Sequence, residues 1–246
     1  MRVLVGGGTG FIGTALTQLL KTKGHEVKLV SRQPGPDRIT WTELSRSGLP
    51  LCDVVINLAG ENILNPLRRW NETFQKEVLT SRLDTTHLLA KAITEAAQPP
   101  QAWILVTGVG VVLGRRGGAI GHMLLPFRLG LGGPIGSGHQ FFPWIHISDL
   151  AGILNHALEA NHVQGVLNGV APASTTTNAD FAQALGAALG RPAFIPVPSA
   201  VVQAIFGRER AIMLLEGQKV VPRRTLATGY QYSFPELGAA LKDVVT

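Results

Sequence analysis

Within the first twenty residues a short apolar run, a cluster of glycines and an amphipathic stretch follow one another without a gap. Arg2-Val3-Leu4-Val5 reads as a buried strand. Ile12, Leu16, Leu19 and Leu20 then recur at helical spacing, and Gly24 stands where a helix C-terminal glycine belongs. Between strand and helix lies Gly6-Gly7-Gly8-Thr9-Gly10-Phe11-Ile12-Gly13, in which Gly7, Gly10 and Gly13 form a G-x-x-G-x-x-G run. Glycines so placed let the chain turn tightly, let its backbone approach a pyrophosphate and let the helix pack on the sheet. The unpaired N–H groups of the helix start then face the phosphates. Gly7, Thr9, Gly10, Phe11, Ile12 and Gly13 are therefore the first candidate cofactor residues.

The end of the next strand selects the dinucleotide. Residues 27–30 read as that strand, followed by Ser31-Arg32 and the turn Gln33-Pro34-Gly35-Pro36-Asp37. NAD sites usually place Asp or Glu about 20 residues beyond the glycines, to accept from the ribose 2′-OH. Here Ser31 can donate to a 2′-phosphate and Arg32 can pair with it, so NADP(H) is the expected cofactor. Asn57-Leu58-Ala59-Gly60 ends a later buried strand, and its small residues leave room for the adenosine side of such a cofactor.

The first half continues to alternate strands with helices, the pattern of a parallel sheet covered on both faces. Leu79, Leu83, Thr86, Ala90, Ile93 and Ala97 share one face of a long helix that Pro99-Pro100 stops, and residues 103–106 form another buried strand. Further helices are expected from about Asp149 and over residues 178–189, with a Gly-rich loop at 130–138 and short Pro-punctuated elements at the C-terminus. The expected fold class is α/β, a Rossmann-type doubly wound parallel sheet with a small C-terminal lobe. Residues 1–117 would form the NADP-binding core and residues 118–246 a substrate-side lobe.

Hydrophobic residues at 45% against 15% charged make a sizeable core easy to bury. The formal charge of +6 contains no basic run interleaved with aromatics, which argues against nucleic acid and leaves an attraction for an anionic cofactor. His122, Pro126, Arg128 and Pro134 interrupt the apolar stretch 119–136, so no membrane partner is expected. Cys52, the sole cysteine, excludes an intrachain disulfide and argues against a Cys-based metal site. Met1 leads at once into a strand, no targeting segment is visible, and cytoplasm is the default compartment.

Three further segments narrow the reading: Asn57-Leu58-Ala59-Gly60-Glu61-Asn62-Ile63, Pro126-Phe127-Arg128-Leu129-Gly130-Leu131-Gly132-Gly133, and Gly136-Ser137-Gly138-His139-Gln140-Phe141-Phe142-Pro143-Trp144-Ile145-His146, which runs on into Ile147-Ser148-Asp149-Leu150. With the Gly7 to Gly13 run they resemble the extended and atypical short-chain dehydrogenases/reductases over nearly the whole chain, and among them the epimerase-like family 39U. That resemblance implies an NADP-dependent oxidoreductase acting on a carbonyl or alcohol whose identity it leaves open. It also brings Ser31, Arg32, Leu58, Ala59, Glu77, Arg82 and Leu113 to the cofactor. Arg82 stands where many relatives carry Asn, and a surface pair with Glu77 or Asp84 is its alternative role. Gln140, Phe141, Trp144 and His146 are candidates for a substrate pocket, with core packing the alternative. Asp149 sits where a helix-capping Asp is common.

The resemblance fails at one place. Enzymes of this superfamily follow the fifth strand with a helix bearing Tyr and, four residues on, Lys, the pair that moves a proton as hydride is transferred. Tyr230 and Tyr232 are the only tyrosines here, and Phe234 and Glu236 stand four residues beyond them. Trp103-Ile104-Leu105-Val106-Thr107-Gly108 resembles the strand before that helix and Val109-Gly110-Val111-Val112-Leu113-Gly114 the strand after it, yet they are contiguous. Parallel neighbours need a crossover of about a dozen residues or more. A strand–helix unit of roughly 30 residues or more is therefore expected to be missing after residue 108, as alternative splicing or a misassigned gene would produce. Thr107 is left as the one weak catalytic candidate, on a sheet expected to expose apolar surface.

Overall fold

Strands whose side chains are apolar on both faces are buried only when helices cover both sides of the sheet. In β1 (Arg2–Gly6), Val3 and Val5 point one way and Leu4 the other, and all three are buried. The computed structural model describes residues 1–115, 117–173 and 175–246, without the side chains of residues 119 and 122. It continues from β1 through α1 (Phe11–Thr22), β2 (Glu26–Ser31), β3 (Arg38–Thr40), α2 (Trp41–Ser47), β4 (Val54–Asn57), α3 (Glu72–Thr94) and β5 (Ala102–Leu105). These strands make one parallel sheet in the order β3-β2-β1-β4-β5. Then come β6 (Val111–Gly114), α4 (Gly118–Arg128), β7 (Trp144–His146), α5 (Ile147–Glu159), α6 (Asn178–Leu189), α7 (Ser199–Phe206), α8 (Arg208–Leu215), α9 (Arg223–Ala227) and α10 (Leu237–Val245).

The chain divides into two units. The first comprises Met1–Ile63, Asn71–Thr107 and Ala151–Gln164; the second comprises Leu64–Trp70, Gly108–Leu150 and Gly165–Thr246. The boundary expected at residue 117 thus lies at 107, and each unit also takes a segment from within the other's span. In the first unit Leu16 and Leu20 of α1, with Leu154 and Leu158 of α5, cover Val3, Val5, Val54 and Ile56. On the opposite face Leu44 of α2 and Leu89 and Ala92 of α3 cover Leu4, Val30 and Val55. The sheet is doubly wound, as its sequence pattern requires. The second unit has its own core of Leu113, Phe127, Phe142, Trp144, Phe181, Leu185 and Leu241. No described helix is long and apolar enough to cross a membrane.

Two expectations are corrected. The stripe through Leu79 and Leu83 is not the buried face of α3: both are more than half exposed, while Phe74, Val78, Leu89 and Ala92 face inward. Apolar residues surround much of this helix, and spacing alone does not say which row meets the sheet. The second correction concerns the contiguous strands. Both exist, but β5 pairs with β4, whereas β6 pairs with β7 in a separate two-stranded sheet. They are not neighbours, so no crossover is required. β5 is consequently the edge of its sheet. Trp103 pairs in register with Val55 and so lies on the α3 face, where it and Leu105 remain 39% and 43% exposed. This is the uncovered apolar surface expected of a sheet short of one helix.

Candidate dinucleotide site

The turn between β1 and α1 is held by backbone meeting backbone. Gly7, at φ 74°, donates its N–H to the Val30 carbonyl at 3.0 Å, and Gly10 donates to the Gly7 carbonyl at 3.1 Å. A Cβ on Gly7 would stand 2.8 Å from the Ala59 nitrogen. One on Gly13 would stand 2.4 Å from the Gly7 carbonyl oxygen and 2.6 Å from the Gly8 Cα. Gly10 is different: it is exposed, and the nearest atom to its hypothetical Cβ is 3.4 Å away. Gly7 and Gly13 are thus glycines for the fold, and Gly10 is free to let another molecule approach. The start of α1 has no side-chain cap and no acidic residue in its first turn, so its positive end is uncompensated. Thr9 is exposed beside it, while Phe11 and Ile12 are half-buried.

At the end of β2, Ser31 is buried and its hydroxyl donates to the Gln33 carbonyl. The hydroxyl is engaged within the turn, and the expected donation to a 2′-phosphate would require it to rotate away from the Gln33 carbonyl. What Ser31 does is fix the turn that presents Arg32, which is exposed and makes no ion pair among the described residues. Asn57 shapes the third part. Its Oδ1 accepts from the Ala59 N–H at 3.0 Å and its Nδ2 donates to the Thr86 Oγ1 at 3.2 Å, setting the turn of Leu58, Ala59 and Gly60. The Arg82 guanidinium lies over Gly60, with its Cζ 3.0 Å from where a Cβ would be. Arg82 pairs with neither Glu77 nor Asp84 among the described residues; its NH1 donates to the Val78 carbonyl at 3.3 Å. Glu77 is exposed on α3, and Thr107 is exposed at the end of the first unit.

The family model for the NAD dependent epimerase/dehydratase family matches residues 3–108, ending where the chain junction was inferred, and a domain of unknown function, DUF1731, matches residues 197–244. Epimerase family protein SDR39U1 of Mus musculus is 77% identical and that of Homo sapiens 70%, each aligned over the whole of both chains. The chain belongs to the SDR39U1 epimerase family. Each alignment runs over 293 positions against 246 residues here, leaving 47 without a counterpart in the chain. That is the size expected of a lost strand–helix unit. A crystal structure of human SDR39U1, isoform 2, with NADPH superimposes with a TM-score of 0.97 at 70% identity, covering 99% of both chains. UDP-glucuronic acid 4-epimerase from Bacillus cereus, 17% identical with a TM-score of 0.74, shares the fold.

In this SDR39U1-family chain Gln140, Trp144, His146 and Leu113 are all packed into the second unit, and of the pocket candidates only Phe141 is half-buried. Trp144 is 1% exposed and its Nε1 donates to the Thr176 Oγ1 at 3.3 Å. Gln140 is buried, and its Nε2 braces the carbonyls of Ile135 and Leu214, each at 2.9 Å. Leu113 is fully buried in the same core and has no side-chain surface to offer a cofactor. His146 is 2% exposed, its Nδ1 accepts from the Ser148 N–H at 3.3 Å, and Phe234 packs on its ring. All four are core residues. Burial lowers the His146 pKa, against the opposing pull of Asp243 and Asp149. A histidine held neutral favours the folded state at higher pH, and the gain disappears as pH falls below the free-histidine value of about 6.5. The unfolding temperature should therefore drop between pH 7 and pH 5 by more in the parent than in His146→Phe; identical drops would refute this account.

Asp149 is no simple cap. It is fully buried and accepts from the Ser233 and Phe234 N–H groups at 2.7 and 2.9 Å and from the Tyr230 hydroxyl at 3.2 Å. Tyr232 donates to the Val170 carbonyl at 2.8 Å. Burial raises both phenols above their ordinary range, Tyr232 to about 12, so neither is suited to pass a proton near neutrality. Arg210 was missed by motif reading altogether. It is buried, and its guanidinium donates to the carbonyls of Phe206, Asn65 and Arg68. It stands in the charged first turn of α8, Arg208-Glu209-Arg210, where no local pattern marks it as buried.

Proposed function

We propose that the chain binds NADPH in preference to NADH at the turn between β1 and α1, and that its hydride chemistry is impaired. The observation that carries the binding half is the glycine turn. Backbone contacts fill the space beside Gly7 and Gly13, while Gly10 stays open at an uncapped helix start. The human isoform 2 crystallised with NADPH matches this chain over 99% of both, which supports the same ligand here. Preference for NADPH rests on exposed Arg32, with no acidic residue at the end of β2.

The reaction implied by the family is oxidoreduction at a carbonyl or alcohol. Its impairment rests on the missing Tyr-x-x-x-Lys, on two tyrosines buried in structural bonds, and on Thr107 standing without a proton partner in sequence. The same absence favours a second reading, a non-catalytic NADPH-binding sensor or scaffold. A partner whose affinity changes with NADPH would distinguish that role from a disabled enzyme.

Thermal unfolding tests the binding. NADPH at about one hundred times its Kd should stabilise the protein by ~2.7 kcal/mol, a rise of roughly 5–10 °C for a chain of this size. NADH should give a smaller shift, and Arg32→Glu should remove the difference. Equal shifts from both dinucleotides would refute the Arg32 assignment. A broad panel of aldehydes and ketones should produce no NADPH consumption above background. Robust turnover abolished by Thr107→Val would overturn the impairment.

A further inference from the structure

The positive charge of this protein is not shared between its units. The first contains ten lysines and arginines and ten aspartates and glutamates; the second contains twelve basic residues and six acidic ones. The whole excess of +6 therefore belongs to the second unit, and the dinucleotide-binding unit is neutral. Residues 108–148 and 181–208 contain no aspartate or glutamate. These two stretches are joined in the structure. Ile195 donates its N–H to the Gly132 carbonyl at 3.1 Å, Val197 to the Pro134 carbonyl at 2.8 Å, and Gly136 returns a bond to Val197 at 2.9 Å.

Where they meet, large apolar side chains face outward. Leu125 and Leu129 are 68% and 65% exposed, one turn apart at the end of α4; Leu131 is 57% exposed and Phe194 74%. Arg128 and Arg191 are exposed on the same two stretches, and neither makes an ion pair among the described residues. The glycines between explain why the ridge holds its shape. A Cβ on Gly132 would strike the Phe127 ring at 2.5 Å, and one on Gly133 the Ile195 carbonyl oxygen at 2.0 Å. Close packing thus locks loop 129–135 against residues 192–197, so the exposed residues are held on a rigid support. Core packing accounts for Phe127 and these glycines but not for the outward leucines and phenylalanine, and large apolar side chains exposed together on two joined stretches mark a candidate interaction site.

We propose that the second unit docks on the surface of an anionic lipid bilayer, with Leu125, Leu129, Leu131 and Phe194 in the interfacial layer and Arg128 and Arg191 on the headgroups. Apolar side chains in the acyl boundary combined with cations on anionic lipid are the two contributions that hold a peripheral protein. A nucleic acid would use the arginines but has no place for a leucine ridge, and a neutral apolar partner would have no use for the absence of acidic residues. This docking is peripheral, consistent with the lack of a described membrane-spanning helix. It does not depend on the cofactor.

Co-sedimentation with vesicles tests it. The full chain should bind phosphatidylcholine vesicles containing about one third phosphatidylserine, bind pure phosphatidylcholine far less, and be released as salt shortens the screening length. Each arginine near such a surface is worth about fivefold in affinity, so Arg128→Gln with Arg191→Gln should weaken binding roughly twenty-fivefold. Leu131→Ser with Phe194→Ser should weaken it at least about tenfold from lost apolar contact. All four residues are exposed, so unchanged unfolding temperatures will verify that the variants fold. Phe194→Trp should keep binding and show a blue-shifted emission on anionic vesicles alone. Binding to neither vesicle, equal binding to both, indifference to the arginine pair, or self-association through the ridge without vesicle binding would each overturn the proposal.

Discussion

Gly13→Ala should lower both the stability of the protein and its affinity for NADPH, while Gly10→Ala, three residues away, should lower the affinity alone. The difference follows from what each new methyl group meets. At Gly13 it would stand 2.4 Å from a carbonyl oxygen and 2.6–2.7 Å from two carbons of Gly8, all backbone. No side chain can swing aside, so α1 must lift from the turn or the turn must open. Overpacking of this kind costs about 1–3 kcal/mol, a fall of roughly 2–12 °C in unfolding temperature for a chain of this length. The N–H groups that form the anion site lie on the displaced backbone, and NADPH affinity should fall at least about tenfold, the equivalent of 1.4 kcal/mol. At Gly10, φ is −75° and the nearest atom is 3.4 Å away. Alanine fits there without strain and meets only the incoming ligand. Circular dichroism melts and NADPH fluorescence titrations on the two variants suffice. A Gly13→Ala protein that melts and binds like its parent would mean that the turn is looser than these distances allow.

What could be read from the chain alone divides by the range of the interactions involved. The glycine turn and its flanking strand and helix were legible because every determinant lies within about twenty residues. So was α6, where Thr177 and Asp180 form a capping box and the expected limits, Asn178–Leu189, are those observed. The stripe through Leu79 and Leu83 failed because periodicity reveals a row of apolar residues without saying whether the sheet or open surface faces it. The conflict between adjacent strands came from assuming one sheet, and sheet membership is decided by partners far along the chain, such as Trp144 for Val111. Gln140, Trp144 and His146 show a related limit. Polar and aromatic residues in one motif resemble a pocket lining, but their partners Leu214, Thr176 and Phe234 lie 74, 32 and 88 residues away in numbering, where no local pattern points. Net charge, too, is a whole-chain quantity that does not say where its excess lies: the +6 falls in the second unit while the first is balanced.

Asp149→Ala should be the most damaging single substitution in the second unit, and the damage should be structural. The carboxylate accepts from two backbone N–H groups and a phenol contributed by residues 230–234, more than eighty positions later. Alanine leaves those donors in a buried site without an acceptor, and each orphaned group costs about 1–3 kcal/mol. Allowing for relaxation, a loss of ~3–5 kcal/mol is expected, roughly 6–20 °C in unfolding temperature. Tyr230→Phe removes only one of the three bonds and should cost about 1 kcal/mol. Asp149→Asn, neutral and with one acceptor oxygen instead of two, should fall between them. This ordering separates the structural role from a catalytic one. A residue that anchors the C-terminal segment grades stability with the number of bonds kept, and NADPH titrated into the folded fraction should bind as tightly as in the parent. If Asp149→Asn instead melted like the parent, the anchoring role assigned to this carboxylate would be wrong.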